Sequence, residues 1–273
     1  MSNTFSPSGC ITLTTDFGAD SPFVGVMKAV IWARFPQARI VDLFHGVAPY
    51  DTDEGGFWLG RTYHWSAPGT VHVAVVDPGV GSSRRIIAAR HAGHVFLAPD
   101  NGLLVQAFSS GSDGVEYRVL DIDSLPGIEL PFISATFHGR DIFAPVAAWL
   151  ASGRYRFESL GPSAESIAGA KMSPARLSAG RIEGTVVSID RYGNLISNID
   201  GSLLEGRSSS RVACAGGSFP WVKTYSEAAT GELVALINSL GVVEIACTQG
   251  HAAGRLGIQR GAVITIHEAE DAL

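Results

Sequence analysis

Hydrophobic residues in the first half of the chain alternate between short strand-like runs and longer runs with helical spacing. The short runs predict strands at residues 11–15, 40–44 and 71–76, and the helical spacing predicts helices at 22–35 and 53–65. This alternation is typical of a sheet of parallel strands that is covered by helices. Ligand sites in such sheets gather beyond the carboxyl ends of the strands.

The pattern changes after residue 85. Residues 85–99 predict two strands of a hairpin that turns at 91–94, and residues 141–151 predict a helix. Residues 152–179 are rich in Gly, Ser, Ala and Pro and lack a clear period, which predicts a linker. Further strand candidates lie at 184–190, 195–199, 211–215, 233–237, 242–247 and 263–267.

The two patterns predict two domains. Residues 1–179 should form an α/β N-terminal domain with a largely parallel central sheet, and this range includes the linker. Residues 180–273 should form a smaller all-β barrel C-terminal domain, because short strands at regular spacing with Gly and Asn turns favour a compact barrel or sandwich. A chain of 273 residues that is 46% hydrophobic can bury a full core.

Charge and cysteine content narrow the function classes. Twenty Lys and Arg against 26 Asp and Glu give a net charge of -6, without a basic stripe, so a nucleic-acid partner is not expected. The three cysteines, Cys10, Cys214 and Cys247, are an odd number without metal-ligand spacing, which favours free thiols in a reducing compartment. The sequence shows neither a signal-peptide pattern nor a spanning apolar run, so we expect a cytoplasmic protein without a membrane partner.

Two distant segments carry a carboxylate, a guanidinium and an imidazole. Asp77 follows the strand predicted at 71–76, Arg84 lies seven residues later in a glycine-rich loop, and His138 precedes a predicted helix. If the fold brings these loops together, Arg84 could keep Asp77 ionised while Asp77 orients His138 or a water molecule for proton removal. Such a group would activate a weak oxygen nucleophile.

Two other interpretations of these segments stay open. The loop 77–84 could cradle a phosphate, but it lacks the lysine of a P-loop and residues 85–89 predict a strand rather than a helix. A metal site would use Asp42, His45, Asp77 and His138. These residues have no familiar ligand spacing, and Arg84 would repel a cation.

Candidate ligand-binding residues occur in both predicted domains. Asp16 closes the first strand, where it could accept hydrogen bonds from ribose hydroxyls or cap the next turn. Tyr50 offers a ring that could stack on a ligand or pack against the protein. In a predicted turn, Asn194 suits an adenine edge, Tyr192 could stack on the ring and Asp190 could pair with an ammonium group. An ordinary hairpin turn explains the same residues.

Seven segments, taken together in chain order, favour ligand binding over the ordinary structural explanations of these residues. They are Thr-Asp-Phe-Gly at 15–18, Ala-Pro-Tyr-Asp at 48–51, Val-Asp-Pro-Gly-Val-Gly-Ser-Ser-Arg at 76–84, Ala-Pro-Asp-Asn-Gly-Leu-Leu at 98–104, Phe-His-Gly-Arg-Asp at 137–141, Ile-Asp-Arg-Tyr-Gly-Asn at 189–194 and Asn-Ser-Leu-Gly-Val-Val-Glu-Ile-Ala at 238–246. Together they resemble the S-adenosyl-L-methionine hydroxide adenosyltransferases, which are relatives of the fluorinating and chlorinating enzymes. The resemblance extends from Ile11 to Ile266.

The resemblance implies an α/β domain, a β-barrel and a homotrimer whose sites lie between the N-terminal domain of one subunit and the C-terminal domain of its neighbour. It implies that water displaces methionine from C5′ of S-adenosylmethionine, giving adenosine and L-methionine. No cofactor or metal is implied, because S-adenosylmethionine is the substrate.

The resemblance also assigns roles to residues of this chain. The catalytic group would be Asp77, Arg84 and His138. Substrate would contact Asp16 through the ribose hydroxyls, Tyr50 in place of a tryptophan of the fluorinase, Tyr192 and Asn194 through adenine, and Asp190 and Ser239 through the amino-acid end of methionine. Asp20 would face that same end, although its loop is one residue shorter than in the fluorinase.

Departures from the halogenases favour hydroxide as the nucleophile. The fluorinase has a tyrosine and a halide-binding serine where this chain has Asp77 and Gly139. A carboxylate in a poorly solvated site repels a halide ion but can orient water. Leu240 replaces an arginine of the fluorinase, which leaves the contact to the methionine carboxylate open. A chlorinase-like halide transferase and a non-catalytic adenosine- or S-adenosylmethionine-binding trimer remain the alternative hypotheses.

Overall fold

The computed structural model describes two compact units. The described residues are 4–109, 111, 113–125, 133–178, 180–205, 209–214 and 216–268. The chain divides into one unit at Met1–Met172 and a second at Ser173–Leu273. No helix among the described residues is both long and apolar enough to span a membrane.

The first unit contains a mixed six-stranded sheet. Its strands are β1 (Cys10–Thr15), β2 (Arg39–Phe44), β3 (Val71–Val75), β4 (Ile86–His91), β5 (His94–Pro99) and β6 (Glu116–Val119). Its α-helices are α1 (Phe23–Arg34), α2 (Thr52–Thr62), α3 (Leu103–Ala107) and α4 (Ala144–Ala151). The strand order is β2-β1-β3-β5-β4-β6, in which the first four strands are parallel and β4 and β6 are antiparallel to their neighbours. The predicted α/β class is therefore confirmed for this unit.

Side chains are buried on both faces of the sheet at β3, which explains why this strand consists almost entirely of apolar residues. On one face, Val71 and Val73 of β3 belong to the cluster formed with α1 and α4. On the other face, Ala74 and Val76 pack in the cluster that includes α3 and Leu59 of α2. Strands that are buried on both faces lose the alternation of polar and apolar residues.

Two predicted helices differ from the observed ones at their ends. The helix predicted at 53–65 is α2 followed by a 3₁₀ turn at Tyr63–Trp65. The helix predicted after His138 begins with a π-helical turn at Gly139–Phe143 and continues as α4. The predicted hairpin is confirmed: Ala92 and Gly93, at φ 49° and 81°, form the tight turn between β4 and β5.

Two buried histidines lie near the amino ends of β3 and β5. His72 is 0% exposed, its Nδ1 is 2.8 Å from Thr12 Oγ1, and its Nε2 is 3.2 Å from Nδ1 of His94. Burial is the main cause that lowers the pKa of both imidazoles, and repulsion from a neighbouring histidine lowers each pKa further. Both rings are therefore neutral near pH 7.

Part of the segment predicted as a linker, 152–179, is bound to the first unit. The backbone N–H of Val119 donates to Pro162 O at 2.9 Å, and that of Ala164 donates to Tyr117 O at 2.9 Å. The domain boundary at residues 179 and 180 stays a prediction.

The second unit is an antiparallel sheet of short strands. They are β7 (Arg176–Ser178), β8 (Arg181–Ile189), β9 (Leu195–Asp200), β10 (Ser209–Cys214), β11 (Gly217–Phe219), β12 (Leu233–Ile237), β13 (Val242–Cys247) and β14 (Val263–Glu268), with one helix, α5 (Ala252–Leu256), and 3₁₀ turns at Gly201–Leu204 and Tyr225–Glu227 among the described residues. The order is β11-β10-β14-β8-β9-β13-β12, and β7 pairs with β8. Beyond β11, Pro220 O accepts from the N–H of Ala235 in β12, and Val222 N–H donates to Ala235 O, both at 2.9 Å.

Candidate active site

Two candidate site residues of the first unit, Asp16 and Asp77, lie just beyond the carboxyl ends of parallel strands. Asp16 follows β1 and Asp77 lies two residues beyond β3, its parallel neighbour. Asn101 follows β5, and its Nδ2 donates to Val76 O at 2.8 Å. This bond fixes the backbone immediately before Asp77. The sequence analysis included Asn101 in the segment at 98–104 without assigning it a role. No local pattern indicated its bond to Val76.

Asp77 and Arg84 form a bidentate ion pair. Arg84 Nε donates to Asp77 Oδ1 at 2.7 Å and to Oδ2 at 2.8 Å, and Nη2 also donates to Oδ2. The side chain of Asp77 is 5% exposed and that of Arg84 is 9% exposed. Removing either partner would therefore leave a desolvated charge without its counterion.

His138 joins this pair through the arginine. Arg84 Nη2 donates to His138 Nδ1 at 2.9 Å, so the guanidinium lies between the carboxylate and the imidazole. Burial, followed by the nearby positive charge of Arg84, lowers the pKa of His138, while Asp77 and Asp141 act in the opposite direction. The structure brings the three residues together, and the group that contacts and orients the imidazole is Arg84, not Asp77 as the sequence analysis expected.

The arginine contact determines which nitrogen of His138 carries the proton. A guanidinium only donates hydrogen bonds, so Nδ1 must accept. The neutral imidazole then carries its proton on Nε2, which makes this atom a donor. In this arrangement, His138 can orient an oxygen atom, but it has no free lone pair with which to remove a proton.

Close backbone packing holds the loop that carries Arg84. Gly81 has φ 80°, and a Cβ atom at this position would overlap the carbonyl oxygen of Ala135. On the other side, Asp141 accepts from Ser134 N–H at 2.8 Å and from Arg140 Nε at 2.6 Å. Burial raises the pKa of Asp141, but the bonds from Arg140 and Ser134 outweigh it, and the net pKa is lowered. The loop before His138 is thus tied to the helix after it.

An aromatic cluster connects the segment of Asp16 with that of His138. The rings of Phe17, Phe23 and Phe137 lie 5.2–6.0 Å apart, centroid to centroid, in edge-to-face geometry. A Cβ atom on Gly139 would lie 3.2 Å from Met27 Sδ and 3.2 Å from the Phe137 ring. A side chain at position 139 would therefore be crowded by these two neighbours.

Asp16 and Tyr50 are in direct contact. Asp16 Oδ2 accepts from the backbone N–H of Tyr50 at 2.9 Å. Tyr50 has φ 68° and is 71% exposed, so a strained backbone holds its ring out from the protein. Glu54, which is buried, accepts from Ala48 N–H at 2.8 Å, and its own N–H donates to Asp51 Oδ1. Asp51 and Glu54 have the spacing of a capping box, a sequence signal that could have revealed the bond from Glu54 N–H to Asp51 at the start of α2, but not the bond to Ala48.

The residues of the metal alternative have other partners. Asp42 accepts from Lys28 Nζ at 2.5 Å, and Oδ1 of Asp42 is 3.2 Å from His45 Nε2. His45 Nδ1 lies 2.9 Å from Thr15 Oγ1. Within the described parts of the chain, no group of three or more His, Cys, Asp or Glu residues could hold a metal ion.

In the second unit, Asp190 organises the turn between β8 and β9. Its Oδ1 accepts from the N–H groups of Tyr192 and Asn194, both at 2.9 Å, and its Oδ2 accepts from Asn194 Nδ2 at 3.0 Å. Tyr192 is exposed and Asn194 is buried. Gly193 has φ 82°, and a Cβ atom there would overlap the ring of His251. The turn thus presents the Tyr192 ring and fixes the Asn194 amide.

Ser239 lies in a second turn of the same unit. It is exposed, and Gly241 N–H closes the turn by donating to Asn238 O at 2.9 Å. Asn238 Oδ1 accepts from the N–H of Leu240 at 3.0 Å. Asp20, in the first unit, is exposed, and a Cβ atom on Gly18 would lie 2.8 Å from its Oδ1.

The predicted residues therefore fall into two groups. The first unit holds Asp16, Asp20, Tyr50, Asp77, Arg84 and His138, and the second unit holds Asp190, Tyr192, Asn194 and Ser239. Within each group, the hydrogen bonds described above hold several of these side chains and turns in place.

Comparisons with known proteins identify a family for both parts of the chain. Residues 11–161 match the SAM hydroxide adenosyltransferase N-terminal domain, and residues 184–265 match the C-terminal domain. An (R)-S-adenosyl-L-methionine hydrolase of Thermus thermophilus is 36% identical over 90% of this chain and 95% of its own. A fluorinase of an Actinoplanes species is 25% identical over 95% of this chain and 97% of its own.

A solved structure has the same fold. The crystal structure of a conserved protein of Thermotoga maritima matches with a TM-score of 0.85 and 35% identity, and it covers 94% of this chain and 99% of its own. The two family matches together include most of the chain, and the resemblance inferred from the seven segments is confirmed. The chain belongs to the SAM hydroxide adenosyltransferase family.

Proposed function

We propose that this protein hydrolyses S-adenosyl-L-methionine to adenosine and L-methionine. The observation that carries the proposal is the buried contact of Asp77, Arg84 and His138 in a chain of this family. A protein that only bound a nucleoside would not need a desolvated carboxylate–guanidinium–imidazole group. The hydrolase relative supports the same reaction.

The reaction is a substitution at C5′. The oxygen of water forms a bond to C5′ while the bond from C5′ to the sulfonium sulfur breaks. The electron pair of the broken bond goes to sulfur, which becomes the neutral thioether of methionine. One proton leaves the water. The sulfonium is a good leaving group that needs no protonation, so the enzyme must mainly align water opposite sulfur and accept the proton.

We assign these tasks to different residues. Asp77 accepts the proton, because its carboxylate is the available acceptor of the group. His138 Nε2–H donates to the water oxygen and holds it in line, because Arg84 occupies Nδ1. Arg84 fixes both partners and compensates the carboxylate charge. Loss of positive charge at sulfur also favours a site without strong negative charge around that atom.

The binding residues are proposals as well. Asp16 would receive the ribose hydroxyls through Oδ1, since Oδ2 already accepts from Tyr50. Tyr50 would pack on the substrate, Tyr192 and Asn194 would receive adenine, and Asp190 with Ser239 would bind the amino-acid end.

Assembly and cofactor use complete the proposal. We propose a cytoplasmic homotrimer in which each substrate contacts both groups of residues, and a second unit whose sheet closes into a barrel, supported by the bonds at Ala235. We also propose that the reaction needs no cofactor or metal. Light scattering after size exclusion tests the trimer: a monomeric, fully active protein would refute it.

A product assay tests the reaction. Purified protein is incubated with S-adenosylmethionine in chelator-treated buffer, with and without added chloride, and the products are separated by chromatography. Equal formation of adenosine and methionine in both buffers supports a metal-independent hydrolase. Chloride-dependent 5′-chloro-5′-deoxyadenosine would instead establish a halide transferase, and unchanged substrate with tight adenosine binding would establish a binding protein.

A further inference from the structure

A carboxylate is buried in the middle of an apolar strand of the second unit. Glu244 is 3% exposed, and every other residue of β13, which runs from Val242 to Cys247, is hydrophobic. Burial of a carboxylate is unfavourable unless its oxygens receive hydrogen bonds. The partners of Glu244 therefore indicate why the residue is there.

Both oxygens of Glu244 have a donor. Tyr225 Oη donates to Oε1 at 2.7 Å, and Asn238 Nδ2 donates to Oε2 at 3.1 Å. Because Nδ2 of Asn238 faces the carboxylate, Oδ1 faces the other way and accepts from the N–H groups of Leu240 and Val242, at 3.0 and 3.3 Å. Glu244 thus determines the orientation of the amide that caps the turn of Ser239.

The strand register places Glu244 between the two turns of the proposed substrate site. It pairs with Leu236 of β12, which leads into the Ser239 turn. It also pairs with Ile196 of β9, which follows the Asp190 turn. The charge of Asp190 acts on both Glu244 and Tyr225, so the cluster lies within electrostatic range of the first of these turns.

We propose that Glu244 is a positioning residue for the amino-acid end of the substrate. It acts through Asn238, whose capped turn holds Ser239 in its binding orientation. This inference rests on the proposed function, in which Ser239 contacts methionine. It adds a residue that sets the affinity for the amino-acid end without touching it.

Two substitutions at this position separate hydrogen bonding from charge. Glu244→Leu removes both acceptors, so Asn238 Nδ2 loses its partner and its amide is free to turn. Glu244→Gln retains an oxygen that accepts from Asn238, while its nitrogen donates to the oxygen of Tyr225. Val243→Ala is the control, because it weakens the same strand at a residue that pairs with Ile237, while the hydrogen bonds of the Asn238 amide described above go to Glu244, Leu240 and Val242.

The assay compares the kinetic constants of each variant for two substrates. One is S-adenosylmethionine, and the other is 5′-deoxy-5′-dimethylsulfonioadenosine, which has the sulfonium and the nucleoside but no amino-acid end. We expect Glu244→Leu to raise KM for S-adenosylmethionine about 10-fold, the typical effect of losing one hydrogen bond to a charged group, with kcat within about 3-fold. The kcat/KM for the truncated sulfonium should stay within about 2-fold of wild type.

The conservative variant and the control decide the interpretation. Glu244→Gln and Val243→Ala should both retain the wild-type KM within about 2-fold. An unchanged KM in Glu244→Leu, or an equal loss with both substrates, would overturn the inference. Equal damage in Glu244→Gln and Glu244→Leu would overturn the hydrogen-bond role in favour of charge.

Two further measurements keep the test decisive. If Glu244→Leu does not fold, Asn238→Ala removes the same cap and should give the same selective rise in KM. If wild-type protein does not hydrolyse S-adenosylmethionine, the proposed function fails. Calorimetric affinity for S-adenosylmethionine then provides the same comparison between variants, and an unchanged affinity would refute the role of Glu244 separately.

Discussion

Replacing Asp77 with asparagine should reduce turnover strongly while leaving the nucleoside bound. The amide has nearly the shape of the carboxylate, but it lacks the charge and the second acceptor. Arg84 donates to both oxygens of Asp77, so the amide nitrogen of the variant must face at least one N–H group of the guanidinium. A donor then meets a donor, and a buried hydrogen bond is lost.

The expected magnitudes follow from these two losses. General base catalysis contributes about 10²- to 10⁴-fold, so kcat for Asp77→Asn should fall by this factor, or about 2.7–5.4 kcal/mol in the activation free energy. The free energy of unfolding should fall by about 1–3 kcal/mol, because the buried Arg84 loses an ionic acceptor. Affinity for adenosine should change less than about 2-fold, since Asp77 is outside the proposed nucleoside contacts.

Three measurements check this prediction. Chromatography of adenosine and methionine gives kcat and KM, calorimetry gives the adenosine affinity, and urea unfolding gives the stability. Asp100→Asn is the matched control, because Asp100 is the acidic partner of the neighbouring Arg85 and its side chain is similarly buried. It should retain wild-type kcat.

The comparison with His138 tests the assignment of the proton. In His138→Gln, the amide can still accept from Arg84 and still donate to water, so kcat should fall only about 10-fold, less than in Asp77→Asn. Wild-type turnover in Asp77→Asn, or a larger loss in His138→Gln, would refute Asp77 as the proton acceptor.

Three other predictions concern stability and specificity. The folded-state pKa of His72 lies below its usual 6.5, so the unfolded state binds the extra proton, and His72 by itself should lower the free energy of unfolding by about 1.4 kcal/mol per pH unit below pH 6.5. Urea unfolding of His72→Gln should show a shallower pH slope, and an unchanged slope would exclude His72 as the cause. Gly81→Ala places a Cβ against the carbonyl of Ala135 at positive φ, so it should lower the free energy of unfolding by at least about 1–2 kcal/mol; a stable, fully active variant would contradict this. Gly139→Ser meets Met27 and should form no chlorinated nucleoside in molar chloride, so chromatographic detection of that product would show that crowding does not exclude the halide.

Hydrophobic spacing predicted the elements with strong local patterns. The parallel strands β1, β2 and β3 were predicted from short runs that contain several apolar residues, and helix α1 was predicted within one residue at each end. The sequence analysis missed β6, β7, β11, α3 and α5, which have three to five residues and are too short to show a period. Tertiary pairing, not local propensity, forms them.

The site was predictable from its motifs but not from local physics alone. Arg84 and His138, which are in contact in the fold, are 54 positions apart. Their residue types suggested a common site only on the condition that the fold brings their loops together, and the family resemblance then supplied that condition. The supporting bonds of Asn101 and Glu244 were not predicted, because a buried polar contact depends on strands that are distant in sequence. The orientation of the guanidinium between its two partners likewise required coordinates.

The π-helical turn after His138 has a consequence for insertions and deletions. A π turn holds one residue more than an α turn, so Gly139–Phe143 is equivalent to a helix with one added residue. Deleting one residue there would let α4 continue with regular geometry, but it would rotate everything before it by about 100° around the helix axis. The His138 ring would then point away from Arg84. The number of residues in this turn therefore keeps the His138 imidazole within hydrogen-bonding distance of the Arg84 guanidinium.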